Sequence, residues 1–110
     1  MTASLQVYID GELRLETARG GGVPGQLRAL FARLDTDMDA GIELDGVRLE
    51  TPDPQQRCTF VLERLLYAFE AGQTDFVRAL LIYLACHWPE LRAVHVRRGG
   101  GGWDVRLDLA

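Results

Sequence analysis

The chain has 110 residues, of which 47% are hydrophobic and 25% are charged, and its formal net charge is −4. This composition is typical of a folded globular protein and excludes a disordered chain, and the length predicts a single domain, residues 1–110. No run of about twenty apolar residues is present, which excludes a membrane-spanning helix.

The N-terminal region predicts a β-hairpin, because two short stretches alternate between apolar and polar residues around an Asp-Gly pair. A two-residue turn would place Ile9 opposite a glutamate, whereas a three-residue loop, 10–12, places Ile9 opposite Leu13 and Val7 opposite Leu15. We expect the three-residue loop, because its register lets one face of the hairpin be wholly apolar.

An acidic segment, residues 35–53, follows a short helix that Pro24 and apolar residues at helical spacing predict over 24–34. The acidic segment holds seven carboxylates and one arginine. This concentration of negative charge attracts a basic protein surface and repels phosphate backbones, so nucleic acid is not an expected partner. The candidate residues for binding a basic partner are Asp37, Asp39, Glu43 and Asp45.

The start of the acidic segment resembles the calcium loop of an EF-hand. Asp35, Asp37 and Asp39 fall at loop positions one, three and five, where carboxylate oxygens bind a hard cation. The pattern departs from the family at position six, where Ala40 replaces glycine, and at position twelve, where Gly46 replaces the bidentate glutamate. The resemblance implies a weak metal site for Ca²⁺ or Mg²⁺ at the three aspartates, with millimolar affinity at best.

A second, small hairpin is predicted within the acidic segment, around another Asp-Gly pair. A two-residue turn there places Leu44 opposite Val47 and Ile42 opposite Leu49, so that apolar residues face each other. Irregular or helical structure over 41–50 stays open, because short alternations of this kind are ambiguous.

Two long helices joined by a short link are predicted next. Asp53, followed by Pro-Gln-Gln, is a strong N-terminal capping sequence, apolar residues then recur on one face, and Gly72 ends the helix. Thr74 begins a second helix that runs to about His87. Because the link is so short, the two helices are expected to be antiparallel.

The second long helix is apolar around most of its circumference, and Arg78 is the only charge in its interior. A helix that is buried on one side needs only an apolar stripe, so either this helix runs through the middle of the domain or its outer face contacts a partner. In a chain this small a fully central helix is hard to surround. We expect a homodimer through this helix, with Phe76, Ile82 and Tyr83 at the interface.

The C-terminal residues predict a third hairpin, with strands over 92–97 and 103–109 on either side of a glycine run. Pairing Val96 with Trp103 and Val94 with Val105 places the apolar residues on one face. The opposite, polar face then carries five residues of this hairpin and four of the N-terminal one, namely His95, Arg97, Asp104, Arg106, Asp108, Tyr8, Asp10, Arg14 and Glu16.

Together these elements predict an α+β fold. The N- and C-terminal β-hairpins are expected to join in one antiparallel sheet, with the helical hairpin and the short helix packed on one face of that sheet. The two long helices are expected to supply most of the core.

The residues that could perform chemistry do not form a catalytic set. Cys58 and Cys86 lie in helical patterns without a metal-binding spacing, and we expect both to be buried free thiols. The strand pair allows His95 to lie near Asp104 or Asp108, but a proton-transfer role is not expected, because neither a nucleophile nor an electrostatic clamp accompanies the histidine. The sequence predicts no cofactor.

The leading hypothesis for function is a homodimeric, non-enzymatic interaction or accessory module that presents its acidic segment to a basic partner. All twelve basic residues are arginine, as in proteins from GC-rich bacterial genomes, and residues 1–4 lack the features of a signal peptide, so we expect a bacterial cytoplasmic protein. Two alternatives stay open, a weak divalent-cation-binding protein, and a small-molecule-binding protein or enzyme that uses His95 or Cys86.

Overall fold

The computed structural model describes residues 4–19 and 22–109 and confirms the α+β class. In these ranges the elements in chain order are β1 (Ser4–Ile9), β2 (Glu12–Ala18), α1 (Arg28–Asp39), β3 (Ile42–Leu44), β4 (Val47–Leu49), α2 (Pro54–Glu70), α3 (Thr74–His87), β5 (Leu91–Gly99) and β6 (Gly102–Leu109). The chain divides into two compact units, described in turn. Unit 1 runs up to Gly22 and resumes at Ala85, and unit 2 is Val23–Leu84.

Unit 1 contains a four-stranded sheet in the order β2-β1-β5-β6, so the two terminal hairpins join as predicted. One detail of this prediction is wrong. The strands that join the two hairpins, β1 and β5, are parallel, so the sheet is mixed rather than antiparallel. Apolar alternation is the same for either strand direction, so the sequence pattern did not reveal this. The long connection between β2 and β5 begins and ends at the same end of the sheet, which allows the parallel pairing.

The turn between β1 and β2 has two residues, so the predicted three-residue loop is wrong. Ile9 pairs with Glu12 and not with Leu13. Asp10 and Gly11 both have positive φ angles, 53° and 85°, which is the conformation of the type I′ turn that two-residue hairpins prefer. The local chemistry of the Asp-Gly pair therefore decides the loop.

A bulge in β2 reconciles this turn with a buried face. Tyr8 pairs with Leu13 and Val7 pairs with Leu15, so Arg14 is an extra residue on β2. The predicted pairing of Val7 with Leu15 is thereby confirmed. One face of β1 and β5 is buried, at the residues Leu5, Val7, Ile9, Leu91, Val94 and Val96.

The C-terminal hairpin is longer than predicted. Its strands extend into the glycine run up to a two-residue turn at 100–101, and Val96 pairs with Val105 instead of Trp103. Val94 pairs with Leu107 by the same shift. Because the partner is displaced by two residues, each side chain stays on its predicted face of the sheet.

In unit 2 a 3-10 helix, Gly25–Leu27, leads into α1. The α-helix therefore begins at Arg28 and not at the predicted residue 24, and it continues beyond the predicted end at 34 through the first five residues of the acidic segment. The small hairpin of β3 and β4 has the predicted register, with Leu44 opposite Val47 and Ile42 opposite Leu49. Its turn is again type I′, since Asp45 and the following glycine have φ angles of 51° and 77°.

The two long helices begin and end as predicted. At the start of α2 the backbone N–H of Gln56 donates to Asp53 Oδ1 at 2.7 Å, and the backbone N–H of Asp53 donates to Gln56 Oε1 at 2.9 Å, which is a capping box. After α2, Gly72 adopts a φ of 73° before α3 begins at Thr74. The core of unit 2 comprises buried apolar residues from α1, β3, α2 and α3.

Among residues 4–19 and 22–109, no helix combines the length and the apolar character that spanning a membrane requires.

Cys58 is a buried free thiol, as predicted, but Cys86 is exposed in the last turn of α3, so the prediction for Cys86 is wrong. Its neighbour at the same helix end, His87, is exposed as well.

Candidate functional site

The three aspartates that resemble an EF-hand lie on helix α1 and not in a loop. Asp35 and Asp39 are four residues apart and share one side of the helix, whereas Asp37 lies on another side. Asp35 accepts a hydrogen bond from the hydroxyl of Tyr83, and Asp39 forms an ion pair with Arg57 at 2.7 Å. Within the described chain no group of three His, Cys, Asp or Glu residues is arranged to hold a metal ion. The EF-hand geometry is therefore not formed.

Intramolecular contacts engage the other end of the acidic segment. Glu50 lies 3.6 Å from the guanidinium of Arg48, which also donates to the carbonyl of Ala40 at 2.8 Å. Asp53 caps α2. The carboxylates that keep an exposed position, and that form no hydrogen bond or ion pair within residues 4–19 and 22–109, are Asp37, Glu43 and Asp45.

Glu63 is a further acidic residue at this surface, and the sequence did not indicate it. It lies on α2 and is half-buried. Burial raises the pKa of its carboxyl group, and the negative charge of Asp45 raises it further. The interaction of Asp45 with Glu63 depends on where the turn between β3 and β4 lies relative to α2, and no spacing in the sequence predicts that position.

Replacing Glu63 with glutamine is expected to stabilise the protein at neutral pH. A raised pKa means that the folded state favours the protonated carboxyl, so wild-type stability declines as pH rises from 4.5 through the raised pKa. The expected gain is about 0.5 kcal/mol at pH 7, because Glu63 is partly solvated, and it is expected to vanish at pH 4. Urea unfolding at the two pH values measures the difference.

Asp45→Asn is the matched variant for this test. It removes the like charge and leaves the burial of Glu63 unchanged, so its gain at pH 7 is expected to be smaller than that of Glu63→Gln. An equal gain for Glu63→Gln at pH 4 and pH 7 would contradict the assignment to ionisation.

The two units differ in charge. Unit 1 has six acidic and six basic residues, so its formal charge is zero. Unit 2 has ten acidic and six basic residues and carries the whole net charge of −4. The excess of negative charge is therefore a property of unit 2 alone.

Unit 1 offers a different kind of surface, on the polar face of its sheet. Tyr8 on β1 and His95 on β5 are direct neighbours, and their rings stack with centroids 5.0 Å apart and planes inclined by 10°. The two rings stand side by side at the centre of the sheet. This contact requires the parallel pairing of β1 with β5, which the sequence did not predict.

A hydrogen-bonded chain extends from this stack towards the β2 edge. The hydroxyl of Tyr8 donates to Gln6 Oε1 at 3.1 Å, and Gln6 Nε2 donates to Glu16 Oε2 at 2.8 Å. Ser4 Oγ donates to the same carboxylate oxygen at 3.0 Å. The hydrogen bonds from Gln6 and Ser4 lower the pKa of Glu16, so this series of hydrogen bonds ends in a negative charge on β2.

A pocket of about 330 Å³ lies on the other side of the stack, towards β6. Its lining residues are Tyr8, Gly11, His95, Val96, Arg97, Asp104 and Arg106. The register places Arg106 directly opposite His95 and Asp104 opposite Arg97. Asp108 is opposite Ala93, so neither aspartate is the cross-strand partner of His95. The strand register therefore does not form the His–Asp couple that the sequence allowed.

The residues predicted at a dimer interface separate into two groups. Tyr83 is only 1% exposed, and its ring packs edge-on against Phe31 at a centroid distance of 5.0 Å. It therefore has no surface to offer to a second chain. Phe76 and Ile82 are partly exposed on α3 and keep the position that the prediction requires.

Comparisons with other proteins complete the description of these surfaces. No protein-family model, no curated protein sequence and no solved structure matches the chain. The functional interpretation therefore rests on the residues and their geometry.

Proposed function

We propose that this chain is a small bacterial cytoplasmic protein that acts as a homodimeric, non-enzymatic interaction module and binds a basic segment of a partner protein. The binding surface is the acidic surface of unit 2, defined as Asp37, Glu43, Asp45 and Glu63. The observation that carries the proposal is the like-charge interaction of the exposed Asp45 with the half-buried Glu63, neither of which forms an ion pair within the described chain. Asp39 is paired with Arg57 and contributes less free charge.

Two like charges held together by a fold reduce its stability unless a cation neutralises them. The turn between β3 and β4 holds Asp45 in a left-handed conformation, and helix α2 holds Glu63, so neither backbone moves away easily. An arginine or lysine of a partner would favour the ionised form of Glu63 and relieve the repulsion. Charge complementarity of this kind increases both the rate and the specificity of association.

The charge distribution supports the same partner chemistry. Because unit 2 carries all of the excess negative charge, a basic segment is attracted to this unit and not to the neutral unit 1. Homodimerisation through the partly exposed Phe76 and Ile82 would give two copies of the acidic surface and raise the effective affinity for a partner with two basic segments.

Neutralising the acidic surface is expected to weaken binding of a basic peptide about tenfold. The variant Asp37→Asn, Glu43→Gln, Asp45→Asn removes three exposed charges, each worth about 0.5 kcal/mol in solvent. Fluorescence anisotropy of a labelled arginine-rich peptide measures the dissociation constant, at low ionic strength and again at about 0.15 M.

The matched control changes the net charge by the same amount elsewhere. Glu12→Gln, Glu90→Gln, Asp108→Asn removes three exposed carboxylates of unit 1 that have no partner in the described chain. This variant is expected to bind the peptide within about twofold of the wild-type affinity. Equal losses in the two triple variants would show that the peptide responds only to net charge, and the proposal would be wrong.

A further inference from the structure

The polar face of unit 1 has a set of groups that the proposed interaction with a basic partner does not use. In the described part of the chain, the side chains of Arg97 and Arg106 make no hydrogen bond or ion pair, and the imidazole nitrogens of His95 have no hydrogen-bond partner. Two guanidinium groups and an imidazole therefore line one pocket of about 330 Å³ with their donors unused. Donors of this kind bind anionic oxygens, and guanidinium groups bind them in pairs.

The same pocket has an aromatic wall. The Tyr8 and His95 rings stack on each other between β1 and β5, so each ring has one face in the stack and one face outside it. Because the next strand after β5 is β6, the outer face of His95 is on the side where Arg106 is the opposite residue. A planar ring placed there would extend the stack and lie beside a guanidinium group.

Size and charge restrict the occupant further. The volume falls at the lower end of the range for small-molecule sites. Asp104 itself lines the pocket, opposite Arg97, whereas Asp108 lies further along β6 and the charged Glu16 lies towards the β2 edge. These carboxylates in and around the pocket oppose a long polyanion, so the site favours a small ligand over a nucleic-acid strand.

We propose that this pocket binds a small molecule with a planar ring and an anionic group, the ring stacking on the Tyr8–His95 pair and the anion binding Arg97 and Arg106. The anionic group is a phosphate, as in a mononucleotide, or a carboxylate, as in an aromatic acid. Each can present two oxygens to the two parallel N–H donors of a guanidinium. The site is independent of the acidic surface of unit 2.

Amide and side-chain NMR titrations of the full chain test this inference with five probes. The probes are adenosine monophosphate, adenosine, inorganic phosphate, indole-3-acetate and an octamer of thymidylate. We expect saturable shifts at Tyr8, His95 and Arg106 with adenosine monophosphate, with indole-3-acetate or with both. Adenosine and inorganic phosphate are each expected to bind at least about tenfold more weakly, since each lacks one half of the recognised chemistry.

Two variants and a control assign the roles. Arg106→Gln is expected to reduce affinity for the anionic ring compounds about tenfold and to weaken the binding of adenosine much less, since adenosine loses only the contact of its ring with the guanidinium. Tyr8→Leu is expected to reduce the affinity for every ring-containing probe. Arg92→Gln changes an exposed arginine of β5 outside the pocket and is expected to leave all affinities unchanged. Thermal unfolding checks that each variant is folded.

Several outcomes would overturn the inference. Absence of saturable shifts with both ring-containing anions would exclude the site, and equal affinity for inorganic phosphate would exclude the role of the ring. Equal affinity for adenosine would exclude the role of the anion. Tighter binding of the thymidylate octamer than of the mononucleotide would identify a nucleic-acid surface instead of a small-molecule site.

Discussion

Replacing Arg19 with alanine is expected to lower the free energy of unfolding by about 3 kcal/mol, because one side chain binds three backbone carbonyl groups. Arg19 Nη1 donates to the carbonyl oxygens of Ala85, at 2.7 Å, and Trp88, at 3.3 Å, and Arg19 Nη2 donates to that of Leu91. All four residues belong to unit 1.

The size of the effect follows from the place of these carbonyl groups in the chain. The carbonyl of Ala85 is in the last turn of α3, where the helix itself provides no donor. Trp88 and Leu91 continue the chain from that helix end into β5. A cation beside a helix C-terminus also interacts favourably with the helix dipole. Alanine would remove the charge and all three side-chain hydrogen bonds at once, whereas the carbonyl of Trp88 would keep a donor, the backbone N–H of Leu91.

Urea unfolding with an unchanged slope measures the loss. Arg19→Lys keeps the charge but cannot reach three carbonyl groups in a fixed plane, so about half of the loss is expected. Arg92→Ala is the control, because Arg92 is exposed and makes no hydrogen bond in the described chain, and its effect is expected to stay within about 0.5 kcal/mol. A loss below about 1 kcal/mol for Arg19→Ala would contradict the capping role.

Replacing Tyr83 with alanine is expected to cost about 4 kcal/mol, since it empties the space of a fully buried ring. Tyr83→Phe keeps the ring and its edge-on contact with Phe31, and removes only the hydroxyl that donates to Asp35. A hydrogen bond to a carboxylate is worth about 1.5–3 kcal/mol, so the phenylalanine variant is expected to lose roughly the lower value. Burial and the bond to Asp35 also raise the pKa of Tyr83, which keeps the hydroxyl protonated.

Tyr67 provides the matched control, because it lies on α2 and is 70% exposed. Tyr67→Ala is expected to change stability by less than about 0.5 kcal/mol. Unfolding at several protein concentrations also separates a core role from an interface role. For Tyr83→Ala the loss is expected to be the same at every concentration, and a loss that depends on concentration would instead place Tyr83 at the interface between two chains.

At two places the local sequence was sufficient to predict the structure. The capping box at Asp53 and the β3–β4 hairpin depend on residues within a few positions of each other, and both were predicted with the correct register. The two faces of the C-terminal hairpin were also predicted, because an error of two residues in a register leaves every side chain on its face. In the N-terminal hairpin Leu13 lies opposite Tyr8, on the polar face, and not opposite Ile9 as predicted.

Where the structure depends on contacts between residues that are far apart in the sequence, the prediction was wrong. Aspartates near a helix C-terminus oppose the helix dipole, so the pattern favoured an end at Leu34. Helix α1 continues to Asp39, and the contacts of Asp35 with Tyr83 and of Asp39 with Arg57 stabilise this last part. Both partners lie far along the chain. For the same reason the three aspartates lie on a helix and do not form the calcium loop that they resemble in sequence.

The candidate sites also divide into residues that the sequence identified and residues whose role depends on contacts far along the chain. Asp37, Glu43 and Asp45 were identified from charge density alone. Glu63 was missed because its neighbour Asp45 is eighteen positions away in the sequence. The Tyr8–His95 stack was missed because it exists only if β1 and β5 are parallel neighbours.

The parallel pairing of β1 with β5 has a consequence for synthesis of the chain on the ribosome. Unit 2 is continuous in sequence, so it is complete before β5 emerges. The hairpin of β1 and β2 is made early, but the second edge of β1 has no partner until residues 91–99 follow. At about 5–20 residues per second this interval lasts roughly 4–15 s. During that time the unpaired edge of β1 is exposed to other nascent chains and to chaperones, until β5 pairs with it.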